Sequence, residues 1–379
     1  MNVLCYHTPL RGWEHCATPG RVPSFPDGML VLGVPQRIFR LVFLLLLGMA
    51  FLGSCGPSAS KARTFNTALV YRDFYLRHND VPLQIEIPDR LRVIISRLKA
   101  TGLSSQMYRI EAPPADLEWI TQIHTKEHVE RIRQSCLWLK DGNANLDTTD
   151  VSVTGRTFDV AVAAVGGVLA GVDAVMDGKV RNAFCAVRPP GHHALPTKPM
   201  GFCIFNNVAI AARYLQRRYG LKKILIVDWD CHHGNGTQEI FYNDPTVFYF
   251  STHQAPFYPR TGDASERGGP DALGTKLNVP LKKGTGNDEI LAAYRELLGP
   301  AARAFKPEFI LISAGFDAAK GDSLGGLTVS PEGYTEMTRF VKGLAAELCG
   351  GRLVSTLEGG YSLKQLPDSV EAHVRALME

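Results

Sequence analysis

Residues 224–236 read ILIVDWDCHHGNG, and this stretch decides the fold. Its first four residues are aliphatic without interruption, which is typical of a parallel β-strand buried on both faces. Two aspartates and two histidines follow at once, within Asp228–His233. In open α/β sheets the functional groups collect beyond the carboxyl ends of the strands. The stretch therefore predicts an α/β protein with a polar site at one edge of its sheet.

Three other strand-like segments also end in polar motifs. Phe184–Val187 runs into Arg-Pro-Pro-Gly-His-His (188–193), Phe309–Ile312 runs into Ser313–Asp317, and Leu353–Leu357 runs into Glu358–Tyr361. Further strands are predicted at 68–71 and 247–250, and helices at 158–176, 207–219 and 332–348. Strands that alternate with helices indicate βαβ units around a mostly parallel sheet. Four polar clusters are thus expected at the same edge.

Asp230, His232 and Asp317 are candidate metal ligands. Asp230 and His232 are two residues apart on an extended segment, so both side chains can point to one side, and Asp317 follows a different strand. Two carboxylates and one imidazole leave a coordination position open, which is typical of catalytic zinc, although oxygen-rich ligation also admits Fe(II) or Co(II). An aspartate after a strand is more often a helix cap or turn former. That alternative does not account for two acids and two imidazoles within six residues.

The amino-acid composition and the distribution of charge indicate which kinds of partner the protein can bind. The 379 residues are 45% hydrophobic and 21% charged, and the net charge of +4 is scattered rather than gathered in a stripe. Since a nucleic-acid interface needs clustered basic residues, no nucleic-acid partner is expected. The eight cysteines form no CxxC pair, which argues against a thiolate zinc knuckle, and most are expected to be small buried residues.

Residues 1–62 form a predicted N-terminal extension, and residues 63–379 the catalytic domain. Arg37 and Arg40 precede an uncharged run at 41–53, and Leu-Gly-Ser-Cys55 resembles the cleavage box of bacterial lipoproteins. This pattern predicts a lipoprotein signal, a mature protein anchored through Cys55, and a periplasmic location. The alternatives are an uncleaved hydrophobic anchor or upstream sequence included by a misplaced start codon. A start at Met29 gives a more ordinary signal length. If the signal itself results from a misplaced start, the protein is expected to be cytoplasmic.

Taken together, the motifs resemble the histone deacetylase and acetylpolyamine amidohydrolase superfamily, closer to the class II branch and its bacterial relatives. The resemblance runs from about Thr64 to Tyr361 and beyond, through RPPGHHA (188–194), GFCIFNN (201–207) and the three motifs that contain Asp230, Asp317 and Tyr361. It implies a three-layer α/β/α fold of the arginase type. It also implies metal-dependent hydrolysis of acyl-amide bonds.

The resemblance assigns residues to four groups. One zinc ion per chain is expected at Asp230, His232 and Asp317. The catalytic group is expected to consist of His192, His193, Asp228, Asn235 and Tyr361. The substrate-binding residues are expected to be Asp150, Gly201, Phe202, Tyr258 and Leu324. A structural potassium ion is expected at Asp228, Asp230, His232, Ser251 and Thr252.

Within the catalytic group the implied roles follow ordinary amide-hydrolysis chemistry. His193 is expected to act as general base and then as general acid, with Asn235 as its hydrogen-bond partner and His192 as its electrostatic partner. Asp228 is expected to fix the tautomer of His192. Tyr361 is expected to donate a hydrogen bond to the substrate carbonyl. Arg90 resembles the arginine that lines the acetate-exit channel of the family.

Two departures from the family pattern concern the substrate. The usual His-Pro-Glu element is replaced by the stretch 79–88, so the rim of the pocket is expected to differ. Leu324 stands where polyamine-preferring members place an acidic residue, which favours an acyl-lysine peptide or protein over an acetylpolyamine. A small-molecule amidohydrolase and a non-catalytic binding module stay open as alternatives. An arginase-like ureohydrolase is disfavoured because the extra ligands for a second metal are missing.

Overall fold

The computed structural model of the chain describes residues 65–79, 84–140 and 142–379. The predicted signal segment at 41–53 and Cys55 lie outside the described residues. The boundary between extension and catalytic domain therefore stays a prediction.

The described residues form ten strands and ten α-helices. The strands are β1 (Thr67–Val70), β2 (Tyr108–Ile110), β3 (Asn143–Asn145), β4 (Ser152–Thr154), β5 (Asn182–Cys185), β6 (Ile224–Asp228), β7 (Val247–Gln254), β8 (Lys276–Leu281), β9 (Phe309–Ala314) and β10 (Leu353–Leu357). The helices are α1 (Asp89–Ala100), α2 (Leu117–Ile120), α3 (Lys126–Leu139), α4 (Thr157–Met176), α5 (Asn207–Tyr219), α6 (Asn235–Ile240), α7 (Asn287–Ala293), α8 (Gly299–Phe305), α9 (Pro331–Cys349) and α10 (Leu366–Met378).

Eight strands form one sheet in the order β2-β1-β5-β10-β9-β6-β7-β8, and every neighbouring pair is parallel. Only the short hairpin of β3 and β4 is antiparallel. Helices cover both faces, which makes three α/β/α layers. The prediction of a mostly parallel α/β sheet is confirmed, and a parallel sheet places the carboxyl ends of all eight strands at one edge.

Helix α4 lies in the core and is apolar enough, and long enough at 20 residues, to cross a membrane. Its most apolar window is 78% buried inside the protein, which is the environment of a central core helix. It packs against β1, β5 and α5. Small residues make this close approach possible: a Cβ on Gly167 would lie 2.3 Å from the hydroxyl oxygen of Tyr75. The apolar character of α4 is therefore explained by packing.

A buried histidine, His373 of α10, connects this helix to α9 and to strand β10 of the sheet. Its Nδ1 lies 2.7 Å from the hydroxyl of Thr338 and its Nε2 lies 2.8 Å from the hydroxyl of Ser355. Because the Thr338 hydroxyl is already donated to the Tyr334 carbonyl, Nδ1 acts as the donor and Nε2 accepts from Ser355. Burial among aromatic rings lowers the pKa of His373 to about 3, so the ring is neutral.

This neutral histidine predicts a loss of stability in acid. Between its folded pKa of about 3 and its usual value of 6.5, the unfolded chain binds a proton that the folded chain does not. Stability is therefore complete above 6.5 and falls by about 1.4 kcal/mol per pH unit as the pH drops below it. Urea unfolding of the wild type and of His373→Gln near pH 7 and near pH 5 measures this. The free energy of unfolding should fall less in the variant, because the variant lacks the one proton that His373 takes up on unfolding. Equal falls in the two proteins would contradict the assignment.

Candidate active site

The four polar clusters predicted from the sequence meet at the carboxyl edge of the sheet. Asp228, the last residue of β6, is paired with Ser251 of β7 on one side and with Ser313 of β9 on the other. The segment after β6 carries Asp230 and His232, and the segment after β9 carries Asp317. The chain thus brings all three candidate ligands together from two adjacent strands.

These three side chains form a buried cluster. His232 Nδ1 lies 3.0 Å from Asp230 Oδ1 and 3.0 Å from Asp317 Oδ2. Their ligand atoms and the Cys231 sulfur all lie within 4.8 Å of one another. Burial, together with the charge of Asp230, raises the pKa of Asp317 to about 7. Because both carboxylates are buried and lie close together, a positive charge between them is favoured.

The backbone around the cluster fits a metal ion. A Cβ on Gly359 would lie 2.2 Å from Asp317 Oδ2 and 2.5 Å from Asp230 Oδ2, so only glycine lets the β10 loop reach these oxygens. Burial raises the pKa of the Cys231 thiol well above its usual value. The predicted donor set is two carboxylates and one imidazole, which suits a catalytic divalent ion such as zinc.

His192 and His193 lie side by side next to the cluster, with ring centroids 4.0 Å apart and ring planes tilted by 42°. Burial disfavours the charged form of His192, but the nearby Asp230 and Asp228 outweigh it and raise its pKa to about 10; Asp228 Oδ2 lies 3.1 Å from Nδ1. Burial and the charge of His192 lower the pKa of His193 well below its usual value. The pair therefore holds one charged and one neutral ring.

The neutral tautomer of His193 is fixed by Asn235. His193 Nδ1 lies 2.7 Å from Asn235 Oδ1, while the amide nitrogen of Asn235 contacts the Met200 sulfur at 3.5 Å. Since the amide oxygen is an acceptor, Nδ1 carries the hydrogen and Nε2 keeps its lone pair. His193 is thus arranged as a base.

Glu358 and Tyr249 were not identified as site residues from the sequence. Glu358 Oε2 accepts hydrogen bonds from the backbone N–H groups of Gly191 at 2.6 Å and His192 at 3.2 Å, and burial raises its pKa to about 7. The Tyr249 hydroxyl donates to Asp228 Oδ2 at 2.9 Å. Glu358 could have been identified from its position directly before Gly-Gly-Tyr. Nothing in the local sequence distinguishes Tyr249 from other core residues.

A narrow cavity of about 250 Å³ leads to this cluster. Its walls are mainly aromatic and its inner end is polar. Its lining consists of Asp150, His193, Gly201, Phe202, His232, Phe257, Tyr258, Leu324 and Tyr361. All five predicted substrate-binding residues therefore line one cavity. Phe257 was not predicted, although it directly precedes Tyr258; its ring stacks on that of His232 at 5.2 Å.

One wall of the cavity is fixed by its backbone. Gly201 and Phe202 both have left-handed conformations, with φ of +56° and +65°. A Cβ on Gly201 would lie 2.3 Å from the ring of His193. Asp150 Oδ2 accepts hydrogen bonds from the Gly201 N–H at 3.1 Å and from the Tyr258 hydroxyl at 2.8 Å. The loop that carries Asp150 thus joins both sides of the cavity mouth.

Arg90 lies behind Tyr361 and supports its loop. The guanidinium lies 4.8 Å from the centre of the Tyr361 ring and donates to the carbonyl groups of Gly360 and Glu358, both at 2.5 Å. Glu86 pairs with Arg90 at 2.9 Å and with Arg188 at 2.5 Å, all fully buried. Burial opposes the charge of Glu86, but the two arginines lower its pKa to about 2. Glu86, the acid shared by both ion pairs, lies in the stretch 79–88 that departs from the family pattern.

The predicted potassium ligands also lie together. Ser251 and Thr252 are buried on β7 beside Asp228, and the Ser251 hydroxyl lies 2.9 Å from His253 Nδ1. Thr252 Oγ1 has no hydrogen-bond partner among the described residues. Potassium at this place stays a prediction.

A larger open depression of about 810 Å³ lies next to the narrow cavity and shares Phe257 and Tyr258 with it. Its charged residues are Arg260, Asp263 and Glu266. It contains none of the histidines or candidate metal ligands. The chemistry therefore belongs to the narrow cavity.

Comparison with known proteins gives consistent matches. A model of the histone deacetylase domain matches residues 84–377. The chain is 40% identical to a probable deacetylase of Archaeoglobus fulgidus over 300 residues, which cover 79% of this chain and 82% of that protein. It is 40% identical to human polyamine deacetylase HDAC10 over 324 residues, or 82% of this chain and 48% of that protein. It is 38% identical to histone deacetylase 5 of Arabidopsis thaliana over 342 residues, or 86% and 51%.

The chain thus spans about half the length of the human and plant relatives. Among solved structures, the HD domain of HDA15 superposes with a TM-score of 0.78 at 38% identity. That match covers 83% of this chain and 90% of the other.

Proposed function

The chain belongs to the histone deacetylase family, and we propose on this premise that it removes acetyl or related acyl groups from the side-chain nitrogen of acyl-lysine in proteins or peptides. The observation that carries the proposal is the narrow aromatic cavity that ends at the buried pair of carboxylates and the histidine pair. Such a cavity admits an unbranched aliphatic stem and presents its terminal amide to groups that hydrolyse amides.

We assign one zinc ion per chain to Asp230, His232 and Asp317. When bound, zinc lowers the pKa of a water molecule and polarises the substrate carbonyl. The family is zinc-dependent, and the donor set fits such an ion.

The side chains of the cavity supply the proton transfers. His193 Nε2 is free to take a proton from the attacking water, because Nδ1 is committed to Asn235. It then delivers a proton to the departing amine, and such general acid-base catalysis contributes about 10²–10⁴-fold. The charged ring of His192 at 4.0 Å makes His193 a weaker base at rest and a better proton donor.

The cavity mouth favours a peptide substrate. Asp150 Oδ1 is buried and has no partner among the described residues, so it can accept an N–H group of the substrate backbone. Leu324 supplies no charge for a distant ammonium group of a polyamine. Human HDAC10, by its name, is a polyamine deacetylase, which makes an acetylated polyamine the second candidate substrate.

Parallel rate measurements separate the two substrates. We expect a higher kcat/KM for an acetyl-lysine peptide than for an acetylated polyamine. Leu324→Glu should shift the ratio toward the polyamine, because it adds a carboxylate at the rim, and Leu324→Gln is the uncharged control. A wild-type preference of about 100-fold or more for the polyamine would reverse the assignment.

Two further assignments rest on the sequence. We propose that a potassium ion binds at Asp228, Asp230, His232, Ser251 and Thr252. We also propose that a lipid on Cys55 anchors the protein to a membrane. Mass spectrometry of the membrane fraction tests the anchor: a mature protein that retains residues 29–54 would contradict it.

A further inference from the structure

One carboxylate, Asp322, joins the two loops on which the cavity depends. Its Oδ2 accepts hydrogen bonds from the backbone N–H groups of Tyr361 at 2.7 Å and Ser362 at 2.8 Å. Its Oδ1 accepts from the N–H of Leu324 at 2.9 Å. The residue is only 8% exposed. Both oxygens are therefore occupied by backbone donors, from the loop after β9 and the loop after β10.

A local turn explains only part of this arrangement. An aspartate often accepts from the N–H two residues ahead, as Asp322 does from Leu324. The contacts with Tyr361 and Ser362 cross 39 and 40 positions of sequence, however, and contribute nothing to that turn. Charge-assisted hydrogen bonds of this length are about twice as strong as neutral ones. Asp322 thus fastens one loop to the other.

The rest of the β10 loop is held at different atoms. Arg90 binds the carbonyl groups of Glu358 and Gly360, and Asp230 accepts from the N–H of Gly359 at 2.8 Å. Gly360 has a φ of +121°, a conformation that lets the chain turn sharply just before Tyr361. Asp322 is the partner that the structure gives to the N–H of Tyr361 itself, so it sets where the loop continues after the turn.

We propose that Asp322 is a positioning residue that holds the Tyr361 hydroxyl and the Leu324 rim in one fixed relation. The hydrolytic step and the choice between peptide and polyamine substrates are then coupled through a single carboxylate. The inference rests on the proposed function, because it takes Tyr361 to act on the substrate carbonyl. Asp322 itself touches neither the substrate nor the metal ligands.

The test compares Asp322→Ala and Asp322→Asn with Asp263→Ala. This control removes an exposed carboxylate whose hydrogen bonds are local, from the backbone N–H of Ser265 at 2.9 Å and from its hydroxyl at 2.7 Å. We expect kcat on an acetyl-lysine peptide to fall about 10–100-fold in Asp322→Ala with metal content unchanged, since a misplacement of about 1 Å costs this much. Asp322→Asn should fall less, because one oxygen remains. Asp263→Ala should match the wild type.

The double variant Asp322→Ala/Tyr361→Phe distinguishes positioning from general damage. If Asp322 acts through Tyr361, the double variant keeps the kcat of Tyr361→Phe alone, whereas multiplied losses overturn the proposal. Should Asp322→Ala fail to fold, Asp322→Asn in the Tyr361→Phe background gives the same comparison. Release of the rim should also change the ratio of kcat/KM between an acetyl-lysine peptide and an acetylated polyamine in Asp322→Ala; an unchanged ratio refutes the coupling. A wild type inactive on every acyl amine would defeat the proposed function, whereas an active wild type with an equally active Asp322→Ala would defeat this inference alone.

Discussion

Asp230→Ala is expected to lose its divalent metal and its hydrolytic activity together. Asp230 is fully buried, and its Oδ1 lies 3.0 Å from His232 Nδ1, so it is one of only two carboxylates in the proposed ligand set. Its removal leaves one acid and one imidazole, too few to hold a catalytic zinc ion. It also removes a charge that raises the pKa of His192, so the histidine pair is disturbed as well.

Elemental analysis of the purified protein and turnover of a fluorogenic acetyl-lysine substrate measure the two losses. The control is Asp288→Ala, which changes an exposed aspartate in the first turn of α7 and should leave both values intact. A metal-free Asp230→Ala that turns over at the wild-type rate would refute the metal site. A variant that keeps its metal but loses activity would move Asp230 out of the ligand set.

Tyr361→Phe is expected to lower kcat about 10²–10³-fold while the metal content stays unchanged. Burial raises the pKa of the Tyr361 phenol well above its usual value, so it stays protonated and able to donate at neutral pH. Its hydroxyl makes no hydrogen bond with the part of the chain that the structure describes, and it lines the cavity. The substitution removes one oxygen atom and keeps the ring between Phe202 and Arg90.

Steady-state kinetics with an acetyl-lysine peptide give kcat and KM separately. We expect the loss in kcat, with little change in KM, because the hydrogen bond strengthens in the transition state. Tyr219→Phe is the control: it deletes a hydroxyl bonded to Asp173 at 2.7 Å, between α5 and α4. Equal rates for Tyr361→Phe and the wild type would exclude the oxyanion role.

The centre of the sheet was predictable because β6 and β9 both begin with a continuous run of apolar residues. β6, β9 and β10 were located to within two residues, and α5 was predicted with its observed bounds. β5 begins at Asn182, two residues earlier than expected, because its polar side chain is buried against the Leu377 carbonyl of α10. β7 continues to Gln254 because its polar residues are buried and its backbone stays paired with β8. Of the ten helices, α4, α5 and α9 were predicted, and α1, α2, α3, α6, α7, α8 and α10 were not assigned.

The candidate site was predictable where its residues form compact motifs. Asp230 and His232 are neighbours in sequence, and Asp317 follows a recognisable strand, so the structure brings together what the pattern grouped. The roles of Glu86, Tyr249 and Asp322 depend on partners far away in sequence, and no local pattern signals such contacts. Glu86, for example, meets Arg188 across 102 positions. Long-range pairing of buried charges is a property of the folded chain.

The left-handed backbone at Gly201 limits how this enzyme can change in evolution. Any larger residue there would displace the imidazole of His193, which transfers the proton. A substitution at this position that changed the substrate preference would therefore also lower the rate of hydrolysis. At the opposite rim of the cavity, where Leu324 is half-buried, a larger residue would not displace His193. Natural variants with an altered preference between peptide and polyamine substrates should therefore differ at the rim and retain glycine at 201.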